Sequence, residues 1–360
     1  MTVRLRRWVS KPHMRRGGGG LVLLIVVAAV VELAAGTGLA YAAGFSRVRA
    51  VLGDFRWPWL VVLAGALVIS LAGYYLAYQG IFRVDGGRAL PRRQMRAVVA
   101  AGFGGLLAHG RGALDQYALE AAGAGQRDAK ARAASLAGLE QGMLAIVGCA
   151  AAIIVLAGGF ARPPESVTLP WAVLPVPGLL IAFWAAERYR DRFRAQPGWR
   201  GMVGTFLESI HLIRELCIRP RRWALALAGM ALFWAAEALA AWAALAAFGV
   251  RMNAAALMVG FGTGMVYTRR TGPLGGAGIL VLMLPPALWS SGAPLAAAIA
   301  GVFAYRVLSL WLPIPIALAV LPTLRTMSEN KIAQDASTTE PSGPLPLLTP
   351  QPQPSPAGPG

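Results

Sequence analysis

Charge is what this sequence has least of. Only 14% of its 360 residues are Asp, Glu, Lys or Arg, where a soluble domain carries about 25%. Acidic residues are the scarcer sign, 16 against 34 basic ones, for a formal net charge of +18. Lysine occurs only as Lys11, Lys130 and Lys331, so the positive charge is nearly all arginine. The two cysteines, Cys149 in an apolar run and Cys217 in a basic amphipathic stretch, form no CxxC and suggest no disulfide. Histidine is limited to His13, His109 and His211, and there is no HExxH, no GxSxG and no phosphate loop ending in GK[ST]. These absences exclude the common soluble enzymes and zinc sites, and we expect no catalytic set, metal or cofactor. Nucleic acid is not an expected partner either. The arginines sit between apolar runs instead of forming one polar face.

What is abundant is apolar. Hydrophobic residues make up 56% of the chain before its 43 glycines are counted, against about 45–50% with glycine included in soluble domains. That composition fits lipid as the solvent. The apolar runs are Leu21–Ala43, Trp57–Phe82, Gly142–Phe160, Trp171–Ala186, Trp223–Val250, Gly278–Trp289 and Ala293–Leu321. A spanning helix needs about 20 such residues, and the sixth run reaches that length only if it starts near Thr271. Two shorter runs, Val98–Ala108 and Ala254–Tyr267, are too short to cross about 30 Å of hydrocarbon and predict re-entrant or interfacial half-spans. The expectation is an all-α polytopic bundle of about seven spans plus two half-spans. The basic start, Met1–Arg16, followed by Leu21–Ala35 imitates a signal peptide. The apolar run continues to about Tyr41 with Glu32 inside it, so we read it as the first span.

The arginines set the expected orientation. They crowd the N-terminal tail, the segment after span two (Arg83, Arg88, Arg92, Arg93, Arg96) and the segment after span four (Arg188 to Arg222). The opposite loops hold few. The positive-inside bias then places the N-terminus in the cytoplasm of a plasma membrane. In the last basic segment, Met202, Phe206, Ile210, Ile213 and Cys217 recur at helical steps, predicting an amphipathic helix over Gly201–Arg219 that packs on its neighbours. The expected domains are a basic tail at 1–20, a transmembrane domain at 21–324 and a disordered proline-rich tail at 325–360.

The two half-spans look related. Each is glycine-loaded and ends in arginine and glycine: Gly102 to Gly112 carries Arg111, and Gly260 to Gly272 carries Arg269 and Arg270. On the topology above they enter from opposite faces, which predicts inverted repeats at about 21–160 and 171–292, with a last span at 293–321. Broken segments in corresponding places mark a transporter cavity, because lipid cannot satisfy free backbone N–H and C=O groups. The alternative is that glycine only lets helices pack closely. Glu32, Glu140, Glu237 and Arg306 lie in or at the edge of spans, and Arg111, Asp115, Arg269 and Arg270 lie at the half-spans. Charges at such depth should face the interior and pair; Arg306 with Glu237 is one structural pairing to expect. Arginine also suits a lipid phosphate, since its planar fork donates two parallel hydrogen bonds. The candidate headgroup residues are therefore Arg111, Asp115, Arg269, Arg270 and Arg306, with Glu32, Glu140 and Glu237 as intramembrane acids.

One stretch carries a resemblance. Pro273–Leu274–Gly275–Gly276–Ala277–Gly278, followed by Tyr305–Arg306–Val307–Leu308–Ser309–Leu310–Trp311–Leu312–Pro313, resembles the transmembrane region of lysylphosphatidylglycerol synthetases and their stand-alone flippase-like relatives. Gly110–Arg111–Gly112 with Asp115 and Tyr117, and Glu140 before span three, are weaker matches. The sequence departs from that pattern at Val281 and Gln141, where the family often has Glu and Arg. The resemblance implies a lipid-translocating protein without the aminoacyl-transfer module. Its partners would be anionic or zwitterionic phospholipids and proteins of envelope synthesis. Gly275, Gly276 and Gly278 would then serve as gating backbone. The competing expectation is a non-transporting membrane scaffold or accessory subunit.

Overall fold

The computed structural model describes residues 18–87, 90–103, 111–160, 162–193, 196–266, 278–311, 313–324, 326–327 and 329. Every regular element among them is helical. In chain order they are α1 (Gly18–Ala43), α2 (Phe45–Gly53), α3 (Pro58–Ile81), α4 (Arg92–Phe103), α5 (Arg111–Ala121), α6 (Gln126–Ala157), α7 (Glu165–Val173), α8 (Pro175–Phe193), α9 (Gly198–Ile218), α10 (Ala224–Ala246), α11 (Ala254–Val266), α12 (Ile279–Ser290), α13 (Leu295–Arg306) and α14 (Pro313–Ala319). A 3-10 turn, Val84–Gly86, follows α3, and a π-helical turn, Val307–Trp311, joins the last two helices.

Six helical stretches among the described residues are long and apolar enough to cross a membrane: α1, α3, α6, α7 with α8, α10, and α13 through α14. This is a multi-pass membrane protein by helix length and hydropathy. The sixth apolar run is not among the six. It forms α12, with 12 residues, which at 1.5 Å per residue reaches only about 18 Å. It packs instead on α11, and these two short apolar helices stand side by side. Helix α11 is largely buried in protein, and so is one side of α12, so the apolar character of these packed faces reflects helix neighbours rather than lipid, while Ile279, Leu282, Met283 and Trp289 stay exposed. Hydropathy cannot separate the two cases, which is why the run looks like a span in the sequence.

The centre of the fold is the crossing of α3 and α10, the most extensive helix pair. Glycine sets its closeness. A β-carbon on Gly229 would lie 2.6 Å from the Ala77 nitrogen, and one on Gly73 would lie 2.7 Å from both the Gly229 oxygen and the Phe233 nitrogen. Backbone meets backbone here. Around this seam α6 packs on α7, α8, α9 and α11, while α13 packs on α1, α2, α10 and α12, and α14 lies on α4.

Helix α6 starts well before the expected Gly142. Its 32 residues would extend about 48 Å, so it emerges from the bilayer. Arg132 anchors that emergent end. It is buried, pairs with Asp128 one turn earlier (2.9 Å), and donates to the Val84 carbonyl (2.7 Å) in the loop after α3. The amphipathic helix appears as α9, packed on α6 and α8. Ile210 and Ile213 are buried as expected, but Met202 and Phe206 are exposed. The packed side also takes in Leu207, Leu212 and Leu216, which widen the buried face on both sides of Ile210 and Ile213.

Six crossings, the number of candidate spans among the described residues, would return the chain to its starting side. A reporter fused after Gly360 is expected to signal from the same side as one fused before Met1, and opposite signals would show that a seventh segment crosses.

Candidate functional site

Two of the three intramembrane acids, Glu32 and Glu237, converge on one turn of chain at the end of α13. Tyr305 and Arg306 are consecutive, about 100° apart around the helix, so they reach different neighbours. Tyr305 donates its hydroxyl to Glu237 Oε2 on α10, and Ser70 on α3 donates to Glu237 Oε1 at 2.6 Å. One carboxylate therefore joins three spans. Arg306 turns to α1, where its Nε donates to Glu32 Oε1 at 2.8 Å and its Nη2 contacts the same oxygen. Trp311, in the π-helical turn, donates to the other Glu32 oxygen at 2.9 Å. Arg306 thus pairs with Glu32, not with Glu237. The axial proximity of α1 and α13, rather than sequence distance, decides the pairing.

All of these groups are buried: Glu32, Ser70, Glu237, Tyr305 and Arg306. Membrane depth explains it, since hydrocarbon offers a charge no partner and the bundle interior offers several. Glu140 is buried as well, at the middle of α6 rather than before a span. Its backbone carbonyl accepts the indole N–H of Trp234 at 2.8 Å. Trp234 meets Phe261 of α11 edge-on, and Phe261 meets Tyr305 edge-on, with centroids 6.4 and 6.2 Å apart. The aromatic line carries the site from α6 through α10 and α11 to α13.

A second polar contact lies beside the first half-span. Asp115 on α5 is buried and accepts from the Tyr78 hydroxyl of α3 at 3.1 Å. Val98 lies on α4, an amphipathic helix that opens with Arg92 and Arg93. Arg111 opens α5, but its side chain lies outside the described residues, as do Arg269, Arg270, Gly275 and Gly276 altogether. Gly278 is described. Its φ of 83° is a left-handed conformation that favours glycine, and a β-carbon there would clash with Val31 of α1. The close neighbour is thus a span and not the other half-span.

Ser70, Tyr305 and Trp311 belong to this site and were not singled out by sequence. Tyr305 and Trp311 sit in the stretch that resembles the flippase-like family, and only their position flanking Arg306 hinted at a role. No group of three or more His, Cys, Asp or Glu among the described residues is arranged to hold a metal ion. A scan against known protein families and a search of curated proteins find no match to this chain.

Proposed function

We propose that the chain is a lipid-translocating protein of the plasma membrane, similar in kind to the stand-alone flippase-like relatives of the lysylphosphatidylglycerol synthetase transmembrane region. It moves a phosphate-bearing lipid between leaflets by alternating access. The observation that carries this reading is the buried polar junction of Glu237, Ser70 and Tyr305, which ties α3, α10 and α13 together at membrane depth. Intramembrane ionisable groups are expensive, and their usual use is a substrate or ion pathway.

The packing supports two inverted halves of three spans each, about 21–160 and 165–319. On that division α3 and α10 are equivalent and pack on each other. Three further pairs of contacts match: α1 on α13 with α8 on α6, α2 on α13 with α9 on α6, and α14 on α4 with α6 on α11. The arginine distribution puts the N-terminus, α4 and α9 on the cytoplasmic side. The scaffold reading draws on a different observation. The glycine seam between α3 and α10 leaves no slack for one half to slide on the other.

Purified protein in vesicles with fluorescent phosphatidylglycerol separates the two. Translocation predicts exchange between leaflets well above that of protein-free vesicles, and equal rates favour the scaffold. Within the first reading, Arg269 and Arg270 hold the phosphate. Arg269→Gln with Arg270→Gln is expected to lower flux by at least about ten-fold, since each hydrogen bond to a charged group contributes about 1.5–3 kcal/mol, while thermal stability changes little. A variant that misfolds as badly as Gly278→Val would make the arginines structural.

A further inference from the structure

A groove runs between α1, α2 and α13, with a volume of about 440 Å³. Leu33, Thr37, Phe45, Val48, Leu52 and Phe303 line it, so nearly all of its wall is apolar. Helix α2 lies across the end of α1 because Gly44 turns the chain with a φ of 90°, and none of its residues is buried. At about 100° per residue, Phe45, Val48, Val51 and Leu52 occupy one arc of about 120°. Arg47 and Arg49 then flank that arc symmetrically, about 100° from its centre on either side. This is the pattern of a helix lying in a headgroup interface, with its apolar side toward the acyl region and cations at both margins.

Arg47, Arg49 and nearby Arg56 are exposed, and none of the ion pairs among the described residues includes them. The one acid beside them is Asp54, so the patch is net positive. An apolar recess that faces hydrocarbon does not fill with water, because its walls offer water too few polar partners. We propose that this groove docks an acyl chain of an anionic phospholipid, with the negative headgroup drawn to this edge of the protein by Arg47 and Arg49 at the two margins of α2. The site lies between the first two spans, on the face opposite the arginine-rich loops, and so belongs to the outer leaflet on the proposed orientation. It deepens the translocation reading, on which it rests for its purpose, by naming where a lipid boards or leaves the protein. Docking itself is measurable without transport.

The test uses the full chain in vesicles containing trace phosphatidylglycerol or phosphatidylcholine with a diazirine in the acyl chain, and crosslinks mapped by mass spectrometry. With phosphatidylglycerol, labelling should concentrate at Phe303, Val48 and Leu52 over Ile153, Ile181 and Leu225, which are exposed apolar residues elsewhere on the bundle. Arg47→Gln with Arg49→Gln should lower groove labelling by phosphatidylglycerol about five-fold per arginine and leave phosphatidylcholine labelling unchanged. Thr37→Trp, at an exposed helical position, should fill the groove and remove labelling by both lipids. Labelling spread evenly over the bundle would overturn the proposal, and so would a double glutamine variant that binds both lipids as before. A protein that docks lipid here but shows no leaflet exchange would overturn the translocation reading and leave this site standing.

Discussion

Gly229→Val is expected to yield almost no folded protein. The seam between α3 and α10 brings backbone atoms within 2.6–2.7 Å of where a β-carbon would sit, and backbone cannot turn aside as a side chain does. The helices would have to separate along the most extensive contact in the molecule. Inserting bulk into a packed interior typically costs about 1–3 kcal/mol, and a rigid neighbour on both sides puts this site at or above the upper end. Gly73→Val meets the same obstacle from the other helix. Size-exclusion profiles in detergent report the outcome, with Gly65→Val on α3 as the matched control because its β-carbon meets open space. A monodisperse Gly229→Val protein with unchanged thermal stability would show that the seam is not as tight as described.

Arg306→Gln carries the second large effect. It leaves Glu32 buried with the Trp311 indole as its remaining donor among the described contacts. Removing one partner of a buried ion pair costs about 3–5 kcal/mol, because the other charge stays desolvated. Glu32→Gln combined with Arg306→Gln removes both charges and should recover much of that loss. Thermal unfolding of the two single variants and the double variant gives the coupling directly. Near-additive losses would mean that Arg306 is not held by Glu32, and would return it to the set of headgroup ligands.

The broad architecture was legible because lipid leaves a plain record: runs of the right length and few charges between arginine-rich loops. The exception, α12, is informative. Its helix holds Pro285 and Pro286 and closes at the turn through Ser291, and one side of it, with Leu280, Leu284 and Leu288, is buried among α11 and α13. Composition cannot tell protein from lipid as the neighbour. The burial of Glu32, Asp115, Glu140, Glu237 and Arg306 was also legible, since insertion cost alone requires it. Their partners were not. Arg306 finds Glu32 because α1 lies against α13, and Ser70 reaches Glu237 because glycine lets α3 approach α10. Those are tertiary facts. The seam glycines themselves were hidden among the 43 of the whole chain, although Gly73 and Ala77 are spaced by one helical turn. Arg132 had a visible cue in Asp128 four residues earlier, but nothing local announced the carbonyls it caps.

Leaflet exchange of fluorescent phosphatidylglycerol in three samples tests the central claim most directly: the unaltered protein, Glu237→Gln and protein-free vesicles. Glu237→Gln keeps the shape of the side chain but replaces one of two acceptor oxygens with a donor, so Ser70 and Tyr305 cannot both be served as before. The account predicts rapid exchange by the unaltered protein and a fall to the protein-free rate in Glu237→Gln, with both proteins folded. Exchange by the folded, unaltered protein that equals the protein-free rate would contradict translocation, and full exchange by Glu237→Gln would remove the buried junction from it.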